Sequence, residues 1–394
     1  MPEIRVAVFA THPIQYHAPL FRGLAQHDGI SLKVYYALLP DRRQQGVGFG
    51  IPFSWDIPLL EGYAWEALVN TAGNPGLKGF FNSSTPYIKE ALSKERPDVA
   101  LITGWQSLPL LQALWSCKRL GIPMIIRGES NSMKHRPGWT RLAHKLLLSN
   151  YSAYLTIGKS NRDFYLGYGI PGERLFPCGY FVDNERFSRS REQLLPEREH
   201  IRKKWGIGKD AVCFVFSGKL EPKKCIMDLL KAFEKARKAA PDIHLLVAGT
   251  GELMGQARQF AAETELPVSF AGFLNQSEII SAYVAGDCLV LPSDFGETWG
   301  LVVNEAMVCG LPAIVSDRVG CGRDLVENGV TGFIVPFGNI EALADRIVET
   351  ASDSDRRRQM GSNAEEKIKH YSVEKAVEGT LDAIAYVTDG KVKR

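Results

Sequence analysis

No apolar run in this 394-residue chain approaches the roughly 18 residues that a membrane-spanning helix needs, so none is expected. The first apolar run, Val6 to Ala10, has the length of a strand and is followed by the polar stretch THPIQYH, unlike the apolar centre of a secretory leader. Cysteine is sparse and scattered: the seven residues (117, 178, 213, 225, 288, 309 and 321) show no zinc-ligand spacing and suit reduced thiols of a cytoplasmic protein. The net charge of +3 is too small to argue for nucleic acid, and no aromatic and basic single-strand platform accompanies it. No GxGxxG follows the first strand, which disfavours a nicotinamide dehydrogenase. The single Asp-x-Asp, Asp353-Ser354-Asp355, lies in a charged polar stretch and reads as a solvated turn or helix start, so no metal site is expected.

What is present is an ordinary globular composition, 45% hydrophobic and 23% charged, in a chain longer than one core usually supports. Short apolar strands alternate with helical patterns twice over. The first series is Ile4–Ala10, Leu32–Tyr36, Val99–Thr103, Met124–Arg127 and Tyr154–Ile157. The second is Val212–Ser217, His244–Ala248, Val268–Ala271, Cys288–Leu291, Ala313–Val315 and Phe333–Val335. The fold class is α/β, with two Rossmann-like, doubly wound parallel-sheet domains facing each other across a cleft. Asp183 to Lys204, charged and interrupted by Pro196, suits a linker and a surface helix. The expected division is an N-terminal domain over 1–185, a C-terminal domain over 186–371, and a terminal segment 372–394, with a helix from Val373 to Val387, returning to the first domain.

The chemistry concentrates between Asp294 and Pro312, DFGETWGLVVNEAMVCGLP. Glu297 lies in a loop containing Gly296 and Gly300, and Glu305 lies inside the following apolar helix, from Leu301 to Cys309. The opening N–H groups of that helix have no intrahelical acceptor and attract a phosphate. An unpaired carboxylate at Glu305 costs several kcal/mol to bury, so it needs a donor. Sugar hydroxyls on either side of a diphosphate supply donors at two points; the alternative is an internal Lys or Arg. Upstream, Ser217-Gly218-Lys219 ends a strand, and Lys219 and Lys224 are placed to hold a diphosphate, while Lys223 reads as solvated.

The segments FSGKLEPKKCIMDLLKAF, LLVAGTGEL and LPSDFGETWGLVVNEAMVCGLPAIVSD resemble the signature of retaining glycosyltransferases of the GT-B fold, family 4. PCGYFVDNERF resembles that family's entrance to the interdomain linker. The resemblance implies that Lys219 and Lys224 hold the donor diphosphate, that Glu297 contacts the donor sugar, and that Glu305 contacts the ribose. Gly218, Thr298 and Trp299 complete the donor-binding set, with the backbone amides of Gly300, Leu301 and Val302 meeting the phosphates. Lys219 stands where the family has arginine, which keeps the charge and loses the bidentate fork. Cys225 stands where it has glycine, and the usual glycine-rich first loop is absent.

In the first domain, His12, Gln15 and His17 follow the first strand, and Trp105 stands where many relatives carry a histidine. Arg127 and Glu129 follow another strand. All six are acceptor-side candidates. His12 bonds a substrate hydroxyl or is a packed loop histidine, and Arg127 and Glu129 meet phosphate and acceptor hydroxyls or pair with each other. The expected catalytic set is Glu297, Lys224, Lys219 and His12.

The implied reaction moves a sugar from a UDP- or GDP-sugar to a saccharide or lipid-linked acceptor by front-face substitution, in polysaccharide or glycolipid assembly. The nucleotide sugar is a co-substrate; no cofactor or metal is implied. The other readings are a sugar-nucleotide epimerase or hydrolase of the same fold, which consumes donor without acceptor, and a non-catalytic sugar-nucleotide binder. Trp139 to Tyr154, preceded by Lys134, His135 and Arg136, reads either as a core helix with a solvated basic face or as a basic amphipathic helix, in peripheral contact with the inner face of a membrane.

Overall fold

A computed structural model describes residues 3–134 and 136–388; His135 and the end of the expected C-terminal segment, residues 389–394, lie outside the described residues. The chain divides into two compact units, one of residues up to 47, 52–180 and 373 onward, the other of 48–51 and 181–372.

The first unit holds seven parallel strands: β1 (Ile4–Ala10), β2 (Ile30–Tyr36), β3 (Ala64–Ala67), β4 (Val99–Ile102), β5 (Met124–Ile126), β6 (Ala153–Thr156) and β7 (Leu175–Pro177). Their order is β3-β2-β1-β4-β5-β6-β7, with Val6 opposite both Leu32 and Val99. The second unit holds six parallel strands: β8 (Val212–Ser217), β9 (Ile243–Ala248), β10 (Val268–Gly272), β11 (Cys288–Leu291), β12 (Ala313–Ser316) and β13 (Gly332–Val335), in the order β10-β9-β8-β11-β12-β13. Central strands such as Val99–Ile102 and Cys288–Leu291 are buried along their whole length, because helices cover both faces of a parallel sheet. The strand order reverses at β1/β4 and at β8/β11, and at such switch points the loops beyond the carboxyl ends open a crevice.

Three expectations are corrected. The helix expected over Trp139 to Tyr154 spans only Gly138–Leu148, and Tyr154 belongs to β6. The stretch from Asp183 to Lys204 forms the helices Asn184–Leu194 and Arg198–Lys204, anchored within the second unit. Arg198 and Arg202 both bond Asp287, at 2.8 and 3.2 Å. Strands β3 and β7 have no counterpart in the sequence reading. Helix Val373–Val387 packs on β6, β7 and helix Ala18–Ala25. Gly379 permits that approach, since a Cβ there would stand 1.6 Å from the Pro177 carbonyl oxygen.

Candidate active site

In the second unit, β8 delivers Gly218 and Lys219 to the switch point, and Gly218 adopts φ +146°, a conformation that favours glycine. The Gly249-Thr250-Gly251 turn after β9 supports this loop. A Cβ on Gly249 would stand 1.9 Å from the Gly218 carbonyl oxygen, and the Leu220 N–H donates to the Thr250 carbonyl at 3.0 Å. The turn is therefore a packing device. Cys225 takes φ +54°, ψ +38° and opens helix Ile226–Arg237, so the chain keeps a left-handed turn where the resemblance expects glycine. For a residue with a Cβ that conformation costs about 1–2 kcal/mol.

The loop after β11 brings Glu297 back onto the β8 loop, where the Lys224 ammonium donates to its carboxylate; both side chains are largely buried. Gly300, at φ +101°, starts helix Leu301–Val308, and no side chain caps that helix. Segment 297–300 is clamped from behind: the Gly320 N–H donates to the Glu297 carbonyl at 3.1 Å and the Cys321 N–H to that of Trp299 at 2.9 Å. Gly320 lies so close that a Cβ would stand 1.8 Å from the Thr298 carbonyl oxygen. The Trp299 ring is buried, and its indole N–H donates to the Asn304 side chain at 2.8 Å, so this side chain holds the loop to the helix.

Glu305 is 2% exposed, and the Tyr283 hydroxyl donates to its Oε2 at 2.7 Å. Lys219 follows Gly218 in the same loop. Its ammonium lies 4.5 Å from the ring centroid of Phe49, in the short segment Gly48–Ile51 that clusters with this unit. Asp353 caps helix Ser354–Ile368 by accepting from the Arg356 N–H, and Asp355 pairs with Arg358, which makes the Asp-x-Asp a helix start.

In the first unit, His12 follows β1 and bonds the Thr11 hydroxyl at 2.9 Å; burial pushes its pKa down to about 4, so the ring is neutral at pH 7. His17 is fully enclosed, and burial first, then the Arg127 charge, hold it well below the ordinary histidine range. Its Nε2 lies 3.2 Å from Nη1 of Arg127, which makes Nε2 the acceptor and leaves the proton on Nδ1. Arg127 and Glu129 are not directly paired. Arg127 stacks over the Tyr180 ring at 4.5 Å, and the Tyr180 hydroxyl donates to Glu129. Trp105 stacks on Phe164 and meets His144 edge-on, a packing position, while Gln15 is half-buried beside the His12 loop.

Sequence reasoning missed Tyr283, Tyr180, Phe49 and Gly320. The signals for them were the glycine spacing GVGFG around Phe49 and, for Tyr180, its place in PCGYFVDNERF.

Residues 197–367 match the family described as glycosyl transferases group 1. Among curated relatives, the chain is 25% identical over 271 residues to a GDP-mannose-dependent monoacylated alpha-(1-6)-phosphatidylinositol monomannoside mannosyltransferase of Corynebacterium glutamicum, covering 64% of this chain and 68% of the relative. It is 29% identical over 199 residues to a D-inositol 3-phosphate glycosyltransferase of Kribbella flavida, covering 48% and 46%. The alignments thus span about half to two thirds of these relatives. Among solved structures, a glycosyltransferase from Rickettsia africae shares the fold at a TM-score of 0.75 and 15% identity over 98% of both chains. Anabaena Alr3699/HepE in complex with UDP and glucose does so at 0.71 and 15% identity, over 97% of this chain and 100% of the other. Residues 197–367, less than half of the chain, are thus similar to the glycosyl transferases of group 1, and the two parallel-sheet units have the GT-B fold of these neighbours.

Proposed function

We propose that the chain transfers a sugar from a nucleoside-diphosphate sugar, UDP- or GDP-linked, to a saccharide or lipid-linked hydroxyl with retention at the anomeric carbon, in polysaccharide or glycolipid assembly. The observation that carries this reading is the Lys224–Glu297 pair set at the uncapped start of helix Leu301–Val308. A diphosphate seated there receives the opening N–H groups of Leu301 and Val302, the positive end of the helix dipole and the Lys224 ammonium, with Lys219 as a second cation. Glu297 fixes Lys224 from the side and presents its carboxylate to the hydroxyls of the donor sugar. Glu305, one turn further, accepts from the ribose. The names of the relatives support the donor class: one is GDP-mannose-dependent, and one structural neighbour is described with UDP and glucose.

In a front-face displacement the acceptor oxygen attacks from the side the diphosphate leaves, and the departing phosphate oxygen takes its proton. No protein nucleophile is then required, and the protein's task is to stabilise charge gathering on the leaving group. Fixed cations and a helix N-terminus supply that stabilisation without a metal. His12, neutral at pH 7, is suited to hydrogen-bond a substrate hydroxyl and not to carry a charge.

The test is turnover of UDP- and GDP-sugars with and without saccharide acceptors, in parent and Lys224→Ala. The variant is expected to lose about two to three orders of magnitude in kcat with its fold intact by circular dichroism, the scale of a removed transition-state contact. Near-parental kcat would remove the diphosphate role from Lys224, and donor consumption that ignores acceptor would mark an epimerase or hydrolase.

A further inference from the structure

Helix Gly138–Leu148 carries apolar residues on two sides. Its buried or half-buried positions are Thr140, His144, Leu147 and Leu148, which lie on one side of the helical wheel. His144 packs there against Trp105, Phe164 and Tyr168. The opposite side carries Trp139, Leu142 and Leu146, spaced three and four residues apart and 77%, 61% and 64% exposed. A helix that packs through Thr140, His144, Leu147 and Leu148, and also turns a tryptophan and two leucines outward, has a second apolar stripe exposed to solvent.

The charge around the stripe names its occupant. From Ser130 to Asn150 the sequence contains Lys134, Arg136, Arg141 and Lys145 and no Asp or Glu, in a chain whose acidic and basic residues are otherwise nearly balanced, 44 to 47. Arg141 and Lys145 are exposed and project beside the stripe. Apolar side chains at the centre, cations at the border and a tryptophan at the end of the helix are what a lipid interface selects: acyl chains take the leucines, the headgroup region takes the indole, and anionic phosphates take the cations. We propose that helix Gly138–Leu148 lies flat on an anionic bilayer, with Trp139, Leu142 and Leu146 inserted at the level of the acyl-chain boundary. The surface lies in the first unit and its reading is independent of the donor site.

The test is co-sedimentation of the full chain with phosphatidylcholine vesicles, with and without phosphatidylglycerol, across a salt series. Binding is expected only with phosphatidylglycerol and is expected to weaken as salt rises. Leu142→Glu/Leu146→Glu is expected to reduce the partition coefficient at least about tenfold, since it replaces two buried apolar contacts by repelled charges. Because both side chains face solvent in the monomer, the melting temperature and the nucleotide-induced stabilisation should stay at parental values, which separates this result from any failure of the donor assignment. Absence of binding, equal binding to neutral vesicles, or parental binding by the double variant would overturn the proposal. So would a concentration-dependent dimer that the same variant abolishes, since the stripe would then be covered by a second copy.

Discussion

Glu305→Gln separates the two tasks of a buried carboxylate. Without ligand, Glu305 accepts from the Tyr283 hydroxyl at 2.7 Å inside the second unit. A glutamine Oε accepts from the same hydroxyl, so the change exchanges a charged hydrogen bond for a neutral one and relieves the desolvation of a carboxylate. These effects oppose each other, and apo stability should move by no more than about 1 kcal/mol. Binding has no such offset. A hydrogen bond from a ribose hydroxyl to a carboxylate contributes about 1.5–3 kcal/mol, so its weakening should raise the nucleotide Kd about 10- to 150-fold. The readout is thermal unfolding with UDP, GDP and ADP, backed by calorimetric Kd values. At a concentration about a hundred times the parental Kd, the matching nucleotide adds about 2.7 kcal/mol of stability to the parent. At that same concentration the Gln variant should gain only about 0.3–1.4 kcal/mol, by the same relation. Tyr283→Phe is the control. It removes the interior donor and leaves the carboxylate, so it should lower apo stability by about 1 kcal/mol and keep Kd within a few-fold of the parent. An unchanged ligand-induced shift in Glu305→Gln would refute the ribose assignment and leave Glu305 a structural role beside Tyr283.

Two further perturbations test the local chemistry. Cys225→Gly removes a Cβ from a residue at φ +54° and should stabilise the protein by about 1 kcal/mol, offset in part by the freer unfolded chain; urea titration showing a net loss would mean that the Cys225 thiol, 3.5 Å from the Pro222 carbonyl, holds the loop in its place. Burial lowers the pKa of His244 to about 4, so the unfolded chain takes up its proton first as pH falls below 6.5; this contribution to stability is present above 6.5 and is lost progressively as pH falls toward 4. At pH 5 the loss is about 2 kcal/mol for this residue, and His244→Gln should reduce the difference in stability between pH 7 and pH 5 by about that amount. An identical difference in parent and variant would show that the ring is not held neutral.

Much of this architecture is written locally. The six strands of the second sheet are mostly apolar, the central ones buried because helices cover both faces, and all six were readable as short apolar runs. Strand β3 was not, because Ala64–Ala67 is exposed at every position of a sheet edge and carries no apolar pattern. Strand β7 was not, because it is an edge of three residues that ends in Pro177, a residue with no N–H for the ladder. The candidate site divides in the same way. Gly218, Lys224 and the run from Glu297 to Glu305 occupy two loops on either side of one switch point, so short motifs carry most of their geometry. What the motifs do not carry is the support behind them. Tyr283 reaches Glu305 across 22 residues of sequence, and Gly320 presses on Thr298 from the loop after β12; both depend on how helices and loops stack, which leaves no periodic trace.

The first unit shows the same division more sharply. Arg127 and Glu129 are two positions apart, and the sequence leaves open whether they pair or face a ligand. The structure takes a third course, placing Tyr180 between them, with the guanidinium on its ring and the carboxylate on its hydroxyl. A cation and an anion so close in sequence stay unpaired because they follow the end of β5, and Tyr180, just past the end of β7, fits between them. Distances along the chain therefore predict which charges share a loop. Which charges share a bond is decided by the side chain that a distant strand delivers.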